Sequence, residues 1–202
     1  MKNKLLAVGF TIVLASCGKS KEEQLLYDYQ SDNVKSGLNM NVEDLNFEIH
    51  EIKEVGKITA LDSANMYKEK LAKLWFGEDA SKEQLDTISY DYVITRLDTM
   101  RSQAQSIILS NIRLGQDWEN YEWKKKRDDA TDAYVEAKFY KTRDSSFRVK
   151  PDSILSIKYQ ANYSINNPML NNSKQTFDKY FYSNPEKTKF IREEMVSQEK
   201  DS

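Results

Sequence analysis

The sequence predicts an α+β fold in which long antiparallel helices pack on a C-terminal antiparallel β-meander of three to four strands. Proline is absent before residue 151, and Gly115 is the only glycine after Gly77, so helices can run long. Beyond Pro151 apolar and polar residues alternate, which is the pattern of strands that bury one face. A series of helices followed by a series of strands is typical of α+β architecture.

The part of the chain before Gly77 predicts one strand and one helix. Apolar and polar residues partly alternate over 44–58, which indicates a half-buried strand that is expected to join an edge of the sheet. Thr59 and Asp62 have the spacing of a capping box, and apolar residues then recur at helical spacing. A helix is therefore expected over 61–75, and Gly77 ends it.

Two long helices are expected between Ser81 and Tyr140. Ser81 and Gln84 have the spacing of a second capping box, and an apolar face continues from Leu85 for several turns. The pattern is interrupted at Gly115 and then resumes. Because no long linker separates the two halves, the helices are expected to pack against each other in antiparallel orientation.

The C-terminal part of the chain predicts three strands. Strict alternation over 155–165 is the clearest strand pattern in the sequence. Asn and Pro residues at 166–172 and 184–187 favour turns, because Asn tolerates left-handed dihedral angles and Pro ends strand pairing. The second and third strands are therefore expected over 175–182 and 188–192.

The N-terminus has the pattern of a cleavable secretory signal. Lys2 and Lys4 precede an apolar run that is too short to cross a bilayer as a helix, for which about 20 residues are needed. The run ends in the motif Leu14-Ala15-Ser16-Cys17, which resembles the lipobox of bacterial lipoproteins. The resemblance implies that Cys17 takes a diacylglycerol, that the preceding peptide is removed, and that the new amino terminus is acylated as well. Otherwise Cys17 is an ordinary thiol, since the chain has no second cysteine.

These patterns divide the chain into four parts. Residues 1–16 are the expected signal peptide, and 17–42 are a lipidated N-terminus with a flexible tether, because this segment is mostly polar. Residues 43–194 are expected to form a single α+β domain. Residues 195–202 are expected to be a disordered tail.

Further resemblances bear on location. The charged stretch 19–23 is similar to signals that send some Bacteroidota lipoproteins to the cell surface, although it fits a solvated linker equally well. Gly18 after the cysteine is typical of outer-membrane sorting in Gram-negative lipoproteins. Residues 155–191 resemble the end of Bacteroidota envelope lipoproteins, a likeness that implies no activity. We therefore expect an outer-membrane lipoprotein, on either the periplasmic or the external face.

The charge balance bears on partners. The chain has 30 basic and 32 acidic residues, giving a formal net charge of −2, and the signs are interspersed. No basic patch therefore favours nucleic acid as a partner. The expected partners are the membrane, through the N-terminal lipid, and an envelope protein.

Few residues point to catalysis. The only histidine, His50, lies on the polar phase of a predicted strand without a partner at diagnostic spacing. The motifs of serine hydrolases and of phosphate or dinucleotide sites do not occur in the sequence. Asp128, Asp129 and Asp132 fit a solvated helix face better than a hard-cation site. We expect no catalytic residue, cofactor or metal, although abundant carboxylates leave a hydrolase with two acids across a cleft as a third interpretation.

Aromatic residues form two dense groups. Trp118, Tyr121 and Trp123 are the candidate ligand or partner surface, because aromatic rings bind sugars and proteins by stacking and hydrogen bonding. Trp118 and Tyr121 can share one helical face without Trp123, so Trp123, next to Lys124, is expected to be the most exposed. The second group lies in the strands and consists of Tyr159, Tyr163, Tyr180, Phe181 and Tyr182. For both groups the alternative is that the rings are buried in the core.

Four short segments resemble the Asp-Ser/Thr-aliphatic acceptor of the Bacteroidota O-glycosylation system. The candidate acceptors are Ser63, Thr87, Thr99 and Ser153, and a glycan requires each to be exposed. Capping preferences near helix and strand starts give the same pattern without glycosylation.

The sequence as a whole favours a non-catalytic, membrane-anchored envelope lipoprotein. We expect an interaction or assembly factor that holds a protein partner through its helical pair or its sheet face. The alternative is a binding module for a small ligand or glycan that uses the aromatic surface.

Overall fold

The α+β class is confirmed by the structure, a computed structural model that describes residues 19–196. The expected signal peptide 1–16, Cys17 and all but the first two residues of the 195–202 tail lie outside the described residues. The helices are α1 (Lys21–Leu38), α2 (Ala60–Phe76), α3 (Lys82–Thr87), α4 (Tyr90–Arg113) and α5 (Asn120–Arg148). The strands are β1 (Glu48–Thr59), β2 (Ile154–Asn167), β3 (Ser173–Ser183) and β4 (Phe190–Met195).

The chain forms two compact units where the sequence predicted a single domain over 43–194. Of the described residues, the sheet unit contains 19–55 and 159–196, and the helical unit contains Gly56–Lys158. The single domain stays a prediction. The long helices bury apolar residues against one another. They therefore have a core of their own, which includes Leu71, Val93 and Ala137.

The sheet unit is built on a four-stranded antiparallel meander. Its strands lie in the order β1-β2-β3-β4, so β1 is at an edge, as the sequence predicted. Helix α1 packs on this sheet, where the ring of Tyr29 meets Phe181 and Phe190 edge to face at centroid distances of 5.8 and 6.1 Å. Tyr159 and Phe181 are fully buried in the same core.

Helix α1 occupies most of the segment that was predicted to be a flexible tether over 17–42. Ser20 caps the helix, and Glu23 completes a capping box that the sequence analysis missed. Leu25, Leu26 and Val34 are buried at helical spacing. The prediction was wrong because these few apolar residues gain their stability from packing in the sheet unit, which the polar local composition does not reveal.

The helical unit follows the local sequence signals closely. Both predicted capping boxes are present, at Thr59 with Asp62 and at Ser81 with Gln84, and α2 ends at Gly77. One difference concerns the helix expected to continue from Ser81. It breaks after α3, because Ile88 adopts an extended backbone and is buried, and Ser89 then caps α4. None of the described helices is long and apolar enough to cross a membrane.

The strands differ from their predicted limits by a few residues at their ends. Strand β2 runs three residues longer than the 155–165 alternation, counting both ends, and β4 begins two residues later than expected and reaches Met195. The predicted Asn turn is present, with Asn171 and Asn172 in left-handed conformation at φ of 51° and 57°.

The packing of α2 within the helical unit predicts the effect of a core truncation. Leu71→Ala removes a fully buried side chain and should lower the free energy of unfolding by about 2–5 kcal/mol. Met66→Ala, on the same helix but 41% exposed, should change it by less than about 0.5 kcal/mol. Urea unfolding followed by helical circular dichroism measures both. Equal effects of the two substitutions would contradict the assignment of Leu71 to the core.

Candidate functional site in the distal α4–α5 hairpin

Helices α4 and α5 form an antiparallel hairpin whose turn is fixed by buried amides. Gly115, at φ of 69°, lets the chain reverse after α4. The Nδ2 amide of Asn111 donates to Oδ1 of Asn120 at 3.0 Å, and both side chains are buried. The backbone N–H of Gln116 also donates to the carbonyl of Asn111 at 2.9 Å. The end of the hairpin is therefore a defined structure that can present side chains.

Helix α2 covers only part of this hairpin. It has 17 residues against 29 in α5, which corresponds to about 25 and 43 Å of helix. The cluster that α2 joins extends along α4 to Leu97 and along α5 to Ala133. At the end of α2, the ring of Trp75 lies edge to face on Tyr92 at 6.0 Å. We call residues 97–133 the distal hairpin, because they continue beyond the end of α2.

An apolar groove runs between the two helices of the distal hairpin. Its volume is about 720 Å³. Small side chains make up part of its lining, and Met100 on one wall is half exposed. Lys126 and Asp129 are its charged residues, and the ammonium of Lys126 lies 4.6 Å from the ring centroid of Trp123. The groove is lined by Leu97, Met100, Gln103, Ala104, Ser106, Ile107, Trp123, Lys126, Asp129, Ala130 and Ala133.

The candidate aromatic surface is arranged differently from the prediction. Trp118 and Tyr121 are 73% and 75% exposed, whereas Trp123 is half-buried and lines the groove. The prediction that Trp123 is the most exposed was therefore wrong. Trp118 lies in the short 3₁₀ turn before α5, so the helical periodicity of α5 does not apply to it. Tyr121 is nine residues, or two and a half turns, from buried Ala130, so it lies on the opposite face of α5.

The strand aromatics do not extend this surface. Tyr159, Tyr163, Phe181 and Tyr182 are buried in the sheet unit, and Tyr180 is half-buried. Burial raises the pKa of the Tyr182 hydroxyl to about 12. These rings belong to the core, so a stacking surface built on the strands is not supported.

Other apolar side chains are exposed near the turn of the hairpin. Leu109, Ile112 and Leu114 are 46%, 51% and 68% exposed. Together with Trp118 and Tyr121 they make the end of the hairpin unusually apolar for a solvent-facing surface. Exposed apolar patches with polar rims are typical of binding sites.

The residues considered for catalysis have ordinary partners. The Nε2 atom of His50 lies 2.9 Å from the hydroxyl of Ser164 in the sheet unit. Asp128 pairs with the guanidinium of Arg127 at 2.7 Å. Within residues 19–196, no group of three His, Cys, Asp or Glu side chains could hold a metal ion.

One smaller cavity of the helical unit has two carboxylates in its lining. This cavity, of about 360 Å³, is lined by Glu69 and Asp86, which are both exposed, together with Lys68 and Arg148. The cations beside the two acids leave neither in the apolar surroundings that a general acid needs. The hydrolase interpretation therefore gains little from this cavity.

A buried polar cluster joins the start of α4 to the end of α5. The carboxylate of Asp144 accepts from Nε of Arg148 at 2.8 Å. Burial, and then the negative charge of Asp144, raise the pKa of Tyr90 above its usual range. Tyr90 therefore stays protonated. This cluster could not be predicted from the sequence, because nothing local marks a helical Asp as buried.

The candidate glycosylation acceptors differ in exposure. Thr87, Thr99 and Ser153 are exposed, and Ser63 is half-buried. The hydroxyls of Thr87 and Thr99 donate to helix carbonyls one turn earlier, at 2.8 and 2.9 Å. The four residues lie on α2, α3, α4 and the turn before β2, so they form no common site.

Comparisons with known proteins give the chain no family. No protein-family model matches it, and neither a curated protein nor a solved structure shows significant similarity.

The observed placement of the two tryptophans predicts different costs of truncation. Trp118→Ala should change the free energy of unfolding by less than about 0.5 kcal/mol, because its ring is already in solvent. Trp123→Ala should lower it by about 1–3 kcal/mol, because its side chain is partly buried between the helices of the hairpin. Urea unfolding of the two variants checks this order. A larger loss for Trp118→Ala would restore the original expectation.

Proposed function

We propose that this protein is a non-catalytic envelope lipoprotein that holds a protein partner at the membrane through its distal hairpin. The observation that supports this function best is the exposed aromatic pair, Trp118 and Tyr121, near the turn of the distal hairpin. The same hairpin carries the open groove on another face. Tryptophan and tyrosine are enriched at protein interfaces and in their energetic hot spots. In this proposal the helical unit binds the partner, and the lipidated N-terminus anchors the protein in the membrane.

The anchor rests on the sequence motif at residues 14–17. With Cys17 acylated and the preceding peptide removed, only residues 18–20 separate the lipid from α1. Four residue steps span at most about 14 Å, so the sheet unit is held close to the headgroups. Two or three acyl chains give stable attachment, which a single chain does not. The outer membrane is the proposed location, and either face is compatible with this attachment.

The lining of the groove supports binding over catalysis. Asp129 is its one carboxylate, and Lys126 is its one cation. Paired acids, an activated nucleophile and a histidine are all missing from this lining. An apolar surface with a few rim charges can hold a partner but offers no acid–base pair.

A small ligand is the second candidate occupant of the groove. Its volume of about 720 Å³ falls within the range of roughly 300–1,000 Å³ that is typical of ligand pockets. In this alternative Trp123 is the stacking ring, and the strand tyrosines play no part.

Affinity purification of the acylated protein from its own cells tests the proposed function. The protein is crosslinked in intact cells and then isolated, and the intact mass of the mature chain reports acylation of Cys17. The double variant Trp118→Ala/Tyr121→Ala should recover at least about tenfold less partner, since an aromatic hot spot contributes about 2 kcal/mol or more. The matched control is Met169→Ala/Ile191→Ala, which removes two exposed apolar side chains from the sheet unit.

The two readouts can fail separately. A mature chain with a free thiol at Cys17 would overturn the anchor. Recovery of the same partner at the same level by both double variants would remove the distal hairpin from the interaction. Recovery of no envelope protein at all would favour the small-ligand alternative.

A further inference from the structure

The groove of the distal hairpin continues the surface on which α2 packs. Leu97 and Ala133 belong to the core cluster that contains Leu71 and Ala72 of α2, and both also line the groove. One apolar surface therefore runs along α4 and α5, and α2, which packs chiefly on α5 and reaches α4 through side chains, covers only its first part. The free part extends from Leu97 and Ala133 towards the turn of the hairpin.

The dimensions of the free part match a short helix. From Leu97 to Ile107 on α4, and from Trp123 to Ala133 on α5, each wall spans ten residues. This span is about 15 Å, or roughly three helical turns. A helix of ten to twelve residues fills such a length, and α2 shows that a helix is the element this surface accepts.

The composition of the groove indicates which side chains the occupant must supply. Ala104, Ala130 and Ala133 leave room between the two walls. Where α2 covers the hairpin, its bulky Leu71 packs in one cluster with the small Ala137 of α5. The missing helix should therefore have bulky apolar residues at i, i+3 or i+4, and i+7.

A second copy of this chain is the competing occupant of the groove, because two helical hairpins can pair through such a face as a four-helix bundle. Dissociation of a dimer by Met100→Glu, without binding of an amphipathic peptide, would assign the groove to self-association and overturn the proposal.

We propose that the groove binds an amphipathic helix of the protein partner, laid along α4 and α5 as a continuation of α2. This inference rests on the proposed function and specifies the partner's binding element. Lys126 and Asp129, which lie three residues apart on the rim, select a helix with an acidic and a basic side chain on its flank. Three bulky anchors enter the groove, and the charged flank sets the direction of the helix.

The test uses the full-length protein in lipid nanodiscs and a defined peptide probe. The probe is a fluorescein-labelled 14-residue helix with Leu at i, i+3, i+7 and i+10, and with Glu and Lys on its flanks. The control peptide has the same composition with the leucines distributed around the helix. Fluorescence anisotropy measures binding, and empty nanodiscs correct for binding to lipid.

A matched pair of variants assigns the binding to the groove. Met100→Glu places a charge in the groove, and Val135→Glu on α5 places one outside it, on a side chain that is 60% exposed against 50%. We expect Met100→Glu to weaken binding of the amphipathic peptide at least tenfold and Val135→Glu to change it less than twofold. Circular dichroism confirms that both variants are folded.

A fluorescent reporter locates the peptide directly. In the variant Trp75→Phe/Trp118→Phe the only tryptophan is Trp123, which lines the groove. Its emission should shift to shorter wavelength when the amphipathic peptide binds and should not change with the control peptide.

Three further results would overturn the proposal. The first is equal binding of the two peptides, and the second is equal weakening by the two variants. The third is binding of a small apolar dye in the groove with no binding of the peptide, which would assign the groove to a small ligand. If the peptide binds but the Met100→Glu variant still recovers the natural partner from cells, the partner uses a surface of the hairpin outside the groove, and the proposed function survives. If the peptide binds but no partner is recovered from cells, the proposed function fails.

Discussion

The difference in length between α2 and the α4–α5 hairpin is the constraint on which the rest of the helical unit depends. Helices of 24 and 29 residues pair along their whole length, and the 17 residues of α2 complete their core over only part of it. Apolar surface that is left open costs about 25 cal/mol per Å², so a helical unit of this shape is more stable when the groove is filled.

The sequence predicts those features that depend on a few neighbouring residues. Thr59 and Ser81 each start a helix through side-chain capping, and Gly77 ends one, all of which are local effects. Helix α1 was missed because Leu25, Leu26 and Val34 are too few to outweigh a polar segment, and only the sheet unit makes their burial visible. The exposure of Trp118 was missed for a related reason. It precedes α5 in a separate turn, so the helical periodicity that places Ala130 and Ala137 does not apply to it.

In the proposed function the two units divide the work. The sheet unit contains α1, whose first residue lies four positions after Cys17, and its aromatic side chains are used for its own core. The helical unit contains the groove and the exposed Trp118 and Tyr121. Anchoring and binding then depend on different residues, so a substitution in the hairpin can remove the partner without releasing the protein from the membrane. The near-neutral charge of the chain fits this division, since neither role depends on a strong electric field.

Hydroxyl-radical footprinting tests most directly whether a partner covers the groove. The oxidation of Met100 and Trp123 is measured by mass spectrometry in native envelope membranes and in the purified protein in nanodiscs. Met169 of the sheet unit, which is 82% exposed, is the internal standard. We expect both groove residues to be oxidised several-fold more slowly in the native membranes, while the oxidation of Met169 is unchanged. Equal oxidation of Met100 and Trp123 in the two preparations would contradict it.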